Sequence, residues 1–162
     1  MGANPGFAPQ SSPQPANHFP VVNSSDLNGR ALSLPKDLPG ERTILVVAFQ
    51  REQQADVDTW TTGLHLAEGK TPWLELPVID NPGVIGRWFI DTGMRRGIPS
   101  TSTRAHVVTL YTSKTEFKKA IGISSEATVY ALVVDRQGTI LASVAGDFSE
   151  AGAATILAAI RG

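Results

Sequence analysis

Residues 44–60 read ILVVAFQREQQADVDTW, and this stretch narrows the fold more than any other in the chain. The apolar run from Ile44 to Phe49 is far short of the ~18 residues a membrane helix needs, and its β-branched content fits a buried strand. After Phe49 the period changes. Val57, Trp60, Leu64 and Ala67 recur at spacings of three and four, which predicts one face of a helix fading near Gly69. Between strand and helix lies only the polar turn Gln50 to Gln54. A strand buried on both faces that runs through a short turn into an amphipathic helix is a βα unit, and such units build parallel sheets covered by helices.

The rest of the chain repeats the theme. Upstream, HFPVV and ALSLP flank NSSDLNGR, where Asn28-Gly29 signals a hairpin turn. Downstream, WLELPVID (Trp73 to Asp80) is a second strand. Asp80 or Asn81 can cap the helix that follows, with Pro82 at its first position. That helix carries Val84, Ile85, Trp88 and Phe89 inward and stops near Gly97. HVVTLYT is a third strand, and Ser113 with Glu116 forms a capping box ahead of a short helix through Phe117 and Ala120 to Gly122. TVYALVV and TILASVAG are strands joined by the turn Asp135 to Gly138. Ser149 caps a last helix whose Ala153, Ile156, Leu157 and Ile160 can pack on a sheet. The predicted order is a hairpin followed by β-α-β-α-β-α-β-β-α: one α/β domain over residues 18–162, with a central mixed sheet and helices on both faces. Residues 1–17, rich in Pro, Ser, Gln and Asn, read as a disordered leader. That composition suits a segment following a removed export signal, which favours an exported, periplasmic or membrane-associated protein over a cytoplasmic one, or a plain flexible terminus.

Several functions are excluded early. The chain has no cysteine, so it has no disulfide, no thiolate nucleophile and no cysteine metal site. A net charge of −1, without a basic excess or stripe, does not favour nucleic acid as a partner, and none is expected. His18, His65 and His106 lack the spacing of a metal site, so no metal or cofactor is expected. Asp56 and Asp58 suit the first turns of their helix electrostatically but point in different directions. No G-x-S-x-G elbow occurs, and NPGVIG lacks the Lys and Ser/Thr of a phosphate loop.

The element order, together with LVVDRQGTI at Leu132 to Ile140, resembles the thioredoxin-like superfamily, in particular its periplasmic and peroxiredoxin-like branch. The likeness runs from about Phe19 to Arg161. It implies a thioredoxin-like fold enlarged by the N-terminal hairpin and by an extra strand–helix unit, HVVTLYTSKTEFKKAIGI. It also implies that the family's redox pair belongs where Gln50 to Gln54 stand, and its cis-proline at about Val129. A non-proline residue disfavours the cis bond by ~2.5–4 kcal/mol, so a trans peptide is expected at Val129. A narrower resemblance lies in VAFQREQQADVDTW, RWFIDTGMRRGIPS and HVVTLYTSKTEF, which are similar to the cysteine-free mitochondrial ATP-synthase assembly factors and their bacterial relatives. That resemblance implies a non-redox chaperone or assembly factor whose partner is another polypeptide, such as a membrane-complex subunit, and which is not itself transmembrane.

Two contact surfaces are expected. One is the turn Gln50, Arg51, Glu52, Gln53 and Gln54, hydrogen-bonding groups where a redox motif would sit; the plainer alternative is a solvated, capped turn. The other is the stripe Arg87, Asp91 and Arg95 with Trp88 and Arg96 beside it. Arginine next to an aromatic is the composition of binding hot spots, although i, i+4 ion pairs on an exposed face explain the same pattern. The competing class is a small-ligand binder or an enzyme without thiol chemistry at the same junction. It requires a concave pocket and a titratable group with a perturbed pKa there.

Overall fold

The computed structural model describes residues 17–80, 83, 90, 92–94, 96–98 and 100–162. Among these, the strands are β1 (Val22–Ser25), β2 (Ala31–Leu34), β3 (Arg42–Ala48), β4 (Trp73–Ile79), β5 (Leu110–Tyr111), β6 (Tyr130–Asp135) and β7 (Ile140–Ala145). The helices are α1 (Gln54–Gly63), α2 (Thr101–Arg104), α3 (Lys114–Ile121) and α4 (Glu150–Arg161). β1 and β2 form a separate antiparallel hairpin, and the other strands form one sheet in the order β5-β4-β3-β6-β7. β3, β4 and β5 run parallel, β6 runs antiparallel to β3, and β7 runs antiparallel to β6. The mixed α/β sheet expected from the sequence is therefore present.

β3 lies at the centre, and its unbroken apolar run follows from burial on both faces. Ile44, Val46 and Ala48 face one layer with Val57 and Trp60 of α1 and Ile156 of α4. Leu45, Val47 and Phe49 face the other, with Leu32 and Leu34 of the hairpin and Phe117 and Ile121 of α3. Trp60 is fully buried, and its indole N–H donates to the Gly146 carbonyl at 2.9 Å. Truncating a Trp so placed costs about 3–5 kcal/mol. The helix starts follow from local chemistry: Ser113 Oγ accepts from Glu116 N at 3.2 Å, and Ser149 Oγ accepts from Gly152 N at 3.0 Å.

Three boundaries differ from expectation. The first hairpin strand is Val22–Ser25, not HFPVV. Phe19 is instead buried with its N–H donating to Gly138 O at 2.8 Å, which draws this segment onto the β6–β7 turn. Helix α1 ends at Gly63, not near Gly69. A Cβ on Gly63 would stand 2.4 Å from the Phe148 ring, and His65 turns left-handed at φ 54°. The reversal carries Leu66 into the core and leaves Ala67 exposed, so Ala67 does not continue the apolar face. The third strand shrinks to Leu110–Tyr111, because Val107 bridges Glu75 of the main sheet while Val108 bridges Asp26 beside the hairpin. Residues 1–16 of the leader lie outside the described residues. So do Asn81, Pro82, Val84, Ile85, Trp88 and Phe89 of the helix expected after β4.

Candidate functional site at the β3–α1 junction

The polar turn after β3 forms one 3-10 turn, Arg51–Gln53, before α1 begins. Its organiser is Gln53, whose side chain is buried. Gln53 Oε1 accepts from the backbone N–H groups of Phe49 at 2.8 Å and Gln50 at 3.2 Å. Its Nε2 donates to the Glu126 carbonyl at 2.7 Å, and Gln50 Nε2 reaches the same oxygen at 3.1 Å. Two side-chain amides thus tie the turn to the loop that leads into β6. The loop is held from its other side as well. The Glu126 carboxylate meets Lys118 Nζ at 2.7 Å and Lys114 Nζ at 3.9 Å, and the Tyr130 hydroxyl donates to Ser125 O at 2.9 Å.

These contacts sort the predicted turn residues. Gln53 faces inward with its amide committed to the clasp, so it is not part of an exposed surface. Gln50 is exposed but shares the clasp, while Arg51, Glu52 and Gln54 are exposed at the start of α1. Arg96 is exposed too; Arg87, Trp88, Asp91 and Arg95 lie outside the described residues. Val129 precedes β6 with a trans peptide, its side chain fully buried and its carbonyl accepting from Gly146 N at 2.9 Å.

Sequence reasoning missed Glu75. This carboxylate sits in β4 with 7% exposure, opposite Val46 of β3. Burial pushes its pKa from an ordinary 4.5 up to about 7; a hydrogen bond from the Gln54 side chain offsets part of the rise, and the Asp58 charge adds to it. Gln54 Nε2 also donates to Asp58 Oδ1 at 3.0 Å, so one amide joins both carboxylates. The signal was available: WLELPV is a strand buried on both faces, and a lone acid within such a run must lie under cover. On the same face Trp73 stacks on His106, with ring centroids 4.4 Å apart, and His106 Nδ1 lies 3.0 Å from Trp73 O.

Two open concavities among the described residues lie away from the junction. One of about 670 Å³ is lined by Arg30, Lys36 and Arg136 over Leu32 and Leu38. The other, of about 300 Å³, lies between the end of α3 and β7. No helix of the described residues is long and apolar enough to cross a membrane.

The clasped junction, the central β3 and the β6–β7 hairpin before the last helix define a thioredoxin-like α/β fold, and solved structures agree. The exposed lipoprotein thioredoxin Etrx1 of Streptococcus pneumoniae matches with a TM-score of 0.56 at 13% identity, covering 86% of this chain and 98% of that one. BsSco, a member of the Sco family of cytochrome c oxidase assembly proteins, matches with a TM-score of 0.56 at 12% identity, covering 89% and 94%. A thiol-disulfide oxidoreductase of Bacteroides fragilis matches with a TM-score of 0.53 at 14% identity, covering 87% and 97%. Neither a family model nor a curated protein matches the chain. The likeness extends to the thioredoxin-like fold and not to a particular closeness with the ATP-synthase assembly factors.

Proposed function

We propose that this chain is a thioredoxin-like binding protein without thiol chemistry, a chaperone or assembly factor that holds another polypeptide such as a membrane-complex subunit. The carrying observation is the clasp. Thiol–disulfide exchange needs a thiolate, and the chain has no cysteine. Where the redox pair of such a fold would stand, Gln50 and Gln53 bond the Glu126 carbonyl instead. The junction is thereby a fixed platform that presents Arg51, Glu52 and Gln54. Arg87, Trp88, Asp91, Arg95 and Arg96 extend the proposed contact set. One structural neighbour is an oxidase assembly protein and another an exposed lipoprotein, which supports an assembly role at or outside a membrane.

The test is capture from detergent-solubilised host membranes by the full chain, beside an Arg51→Glu/Glu52→Lys variant of equal melting temperature. A membrane-complex subunit held by the wild type and lost by the variant is the expected result. Capture of nothing, even after gentle crosslinking, overturns the reading.

Glu75 favours a second reading, a non-thiol enzyme or ligand binder, because a carboxyl group with its pKa raised to about 7 can exchange protons near neutrality. It stands second because the group lies under α1 with Gln54 bonded to it, and the two concavities described above are elsewhere.

A further inference from the structure

A second surface lies where β3 begins, at the opposite end of the sheet from the β3–α1 junction. The loop into β3 and the turn after β6 meet there, with Arg42 opposite Asp135. The concavity of about 670 Å³ opens beside them, lined by the start of β2 and by the turn that follows that strand. Arg30 stands just before β2 and Lys36 just past its end. The four residues between them and the turn span roughly 13 Å at a strand's rise, so the two cations bracket a groove and do not converge on one point.

The β1–β2 ladder shows what β2 offers this groove. Asp26 N donates to Arg30 O at 3.0 Å, and the register continues with Ser25 opposite Ala31 and Ser24 opposite Leu32. Bonded pairs alternate in an antiparallel ladder, so Leu32 and Leu34 spend their N–H and C=O groups on β1. Ala31 and Ser33 turn theirs outward. The chain satisfies Ser33 itself: its N–H donates to Asp37 Oδ2 at 2.8 Å, and Asp37 N donates to Ser33 O at 2.8 Å. Ala31 is exposed and has no such partner among the described residues. Pro39, which lines the groove, has no N–H to give the Ala31 carbonyl. One acidic residue thus already docks on this edge, and one N–H and C=O pair stays open beside it.

The charges around the groove differ in how far they are spent. Arg136 is committed within the chain, its Nε donating to Leu38 O and its Nη1 to Glu41, both at 3.0 Å, so it serves as a wall. The Asp37 carboxylate is engaged by Ser33 N. Arg30 and Lys36 are exposed, and neither is among the ion pairs of the described residues. We infer that the groove takes an extended acidic segment of a partner polypeptide, whose backbone pairs with Ala31 and whose carboxylates meet Arg30 and Lys36. The open backbone pair favours this occupant. A strand uses both groups, whereas the phosphodiester of a lipid headgroup accepts from the N–H and has nothing to donate to the carbonyl. Residues 1–16 of this chain include no acidic residue and do not match the charge. The inference rests on the reading that the partner is a polypeptide, and gives that partner a second contact far from the junction.

The test is titration of the isotope-labelled full chain with a short peptide of alternating valine and glutamate, followed by amide shifts. Signals of residues 30–32 and 36–38 should move, with Ala31 among the largest, while those of Arg51–Gln54 stay in place. The affinity should fall severalfold as salt rises from about 0.02 M to about 0.2 M, because the contact is exposed. Arg30→Glu/Lys36→Glu should remove the response with the melting temperature unchanged, and Arg30→Lys/Lys36→Arg should keep it. An Ala31 amide that does not move, or that moves equally with a valine–lysine peptide, overturns the site. A response reproduced by inorganic phosphate, co-sedimentation with phosphatidylglycerol vesicles in place of peptide binding, or self-association through Arg30 and Lys36 overturns the peptide assignment. The titration uses the purified chain alone, so its failure leaves the junction reading intact. An empty membrane capture beside a positive titration removes the junction reading and keeps this site.

Discussion

Glu75 makes stability fall as pH rises, opposite to the usual behaviour of a paired carboxylate. Its pKa is an ordinary 4.5 in the unfolded chain and about 7 when folded, chiefly because burial disfavours the charged form. The folded state therefore binds the proton more tightly. The full contribution is present below pH 4.5, is lost progressively as pH rises from there through about 7, and is gone above it. A rise of this size corresponds to about 3 kcal/mol across the window. The perturbation is Glu75→Gln, which keeps the shape and can still meet Gln54 but carries no charge. Melting temperatures of wild type and variant, taken by calorimetry in steps from about pH 4.5 to about pH 8, remove most other titrations by difference. The two proteins should be close at the acid end, and the variant should be ahead at the alkaline end by roughly 6–12 °C for a chain of this size. A difference that stays constant over the window, or one that favours wild type as pH rises, refutes the placement of Glu75 as a buried, proton-retaining carboxyl.

Other substitutions probe the junction and the frame around it. Gln53→Ala strands the N–H of Phe49 and unties the Glu126 loop, and should cost about 1–3 kcal/mol in urea unfolding, with faster amide exchange in residues 124–128. An unchanged midpoint would mean that the clasp does not hold the loop. Gly63→Ala drives a methyl into the Phe148 ring that stacks edge-on against Trp60, and should cost about 1–3 kcal/mol with a visible change in tryptophan fluorescence. Ser149→Ala removes the cap of α4 and should cost about 1 kcal/mol, read in the same unfolding assay.

What was legible in the sequence is what periodicity and local chemistry encode. The continuous run of β3, the Ser113 and Ser149 caps and the turn at Asp135, whose carboxylate accepts from Gln137 N at 3.0 Å and Thr139 N at 2.9 Å, each depend on residues a few positions apart. Ala67 misled because a helical period continues on paper through a break that a ring from a distant loop imposes at Gly63. The strand read at HFPVV misled in the same way: the burial that captures Phe19 is supplied by the β6–β7 turn and by Phe117, whose ring meets it edge-on at 5.6 Å.

The junction shows the same division. Its residues were visible as a polar turn, but their roles separate only once Glu126, more than seventy residues downstream, supplies the shared acceptor. A side-chain amide suits that position because it both donates and accepts. Gln53 can thus satisfy the buried N–H of Phe49 and bind the facing loop in one residue. A cysteine thiol donates and accepts only weakly, and must keep its sulfur reachable to react. The bonded turn fixes the geometry of the start of α1. A rigid platform loses less conformational entropy when a partner docks than a mobile turn would. Under the proposed function the Gln53 clasp and the exposed Arg51, Glu52 and Gln54 would be parts of one device. Loosening the clasp with Gln53→Ala should weaken partner capture even though Gln53 itself faces inward, whereas an unaffected capture would separate the clasp from binding altogether.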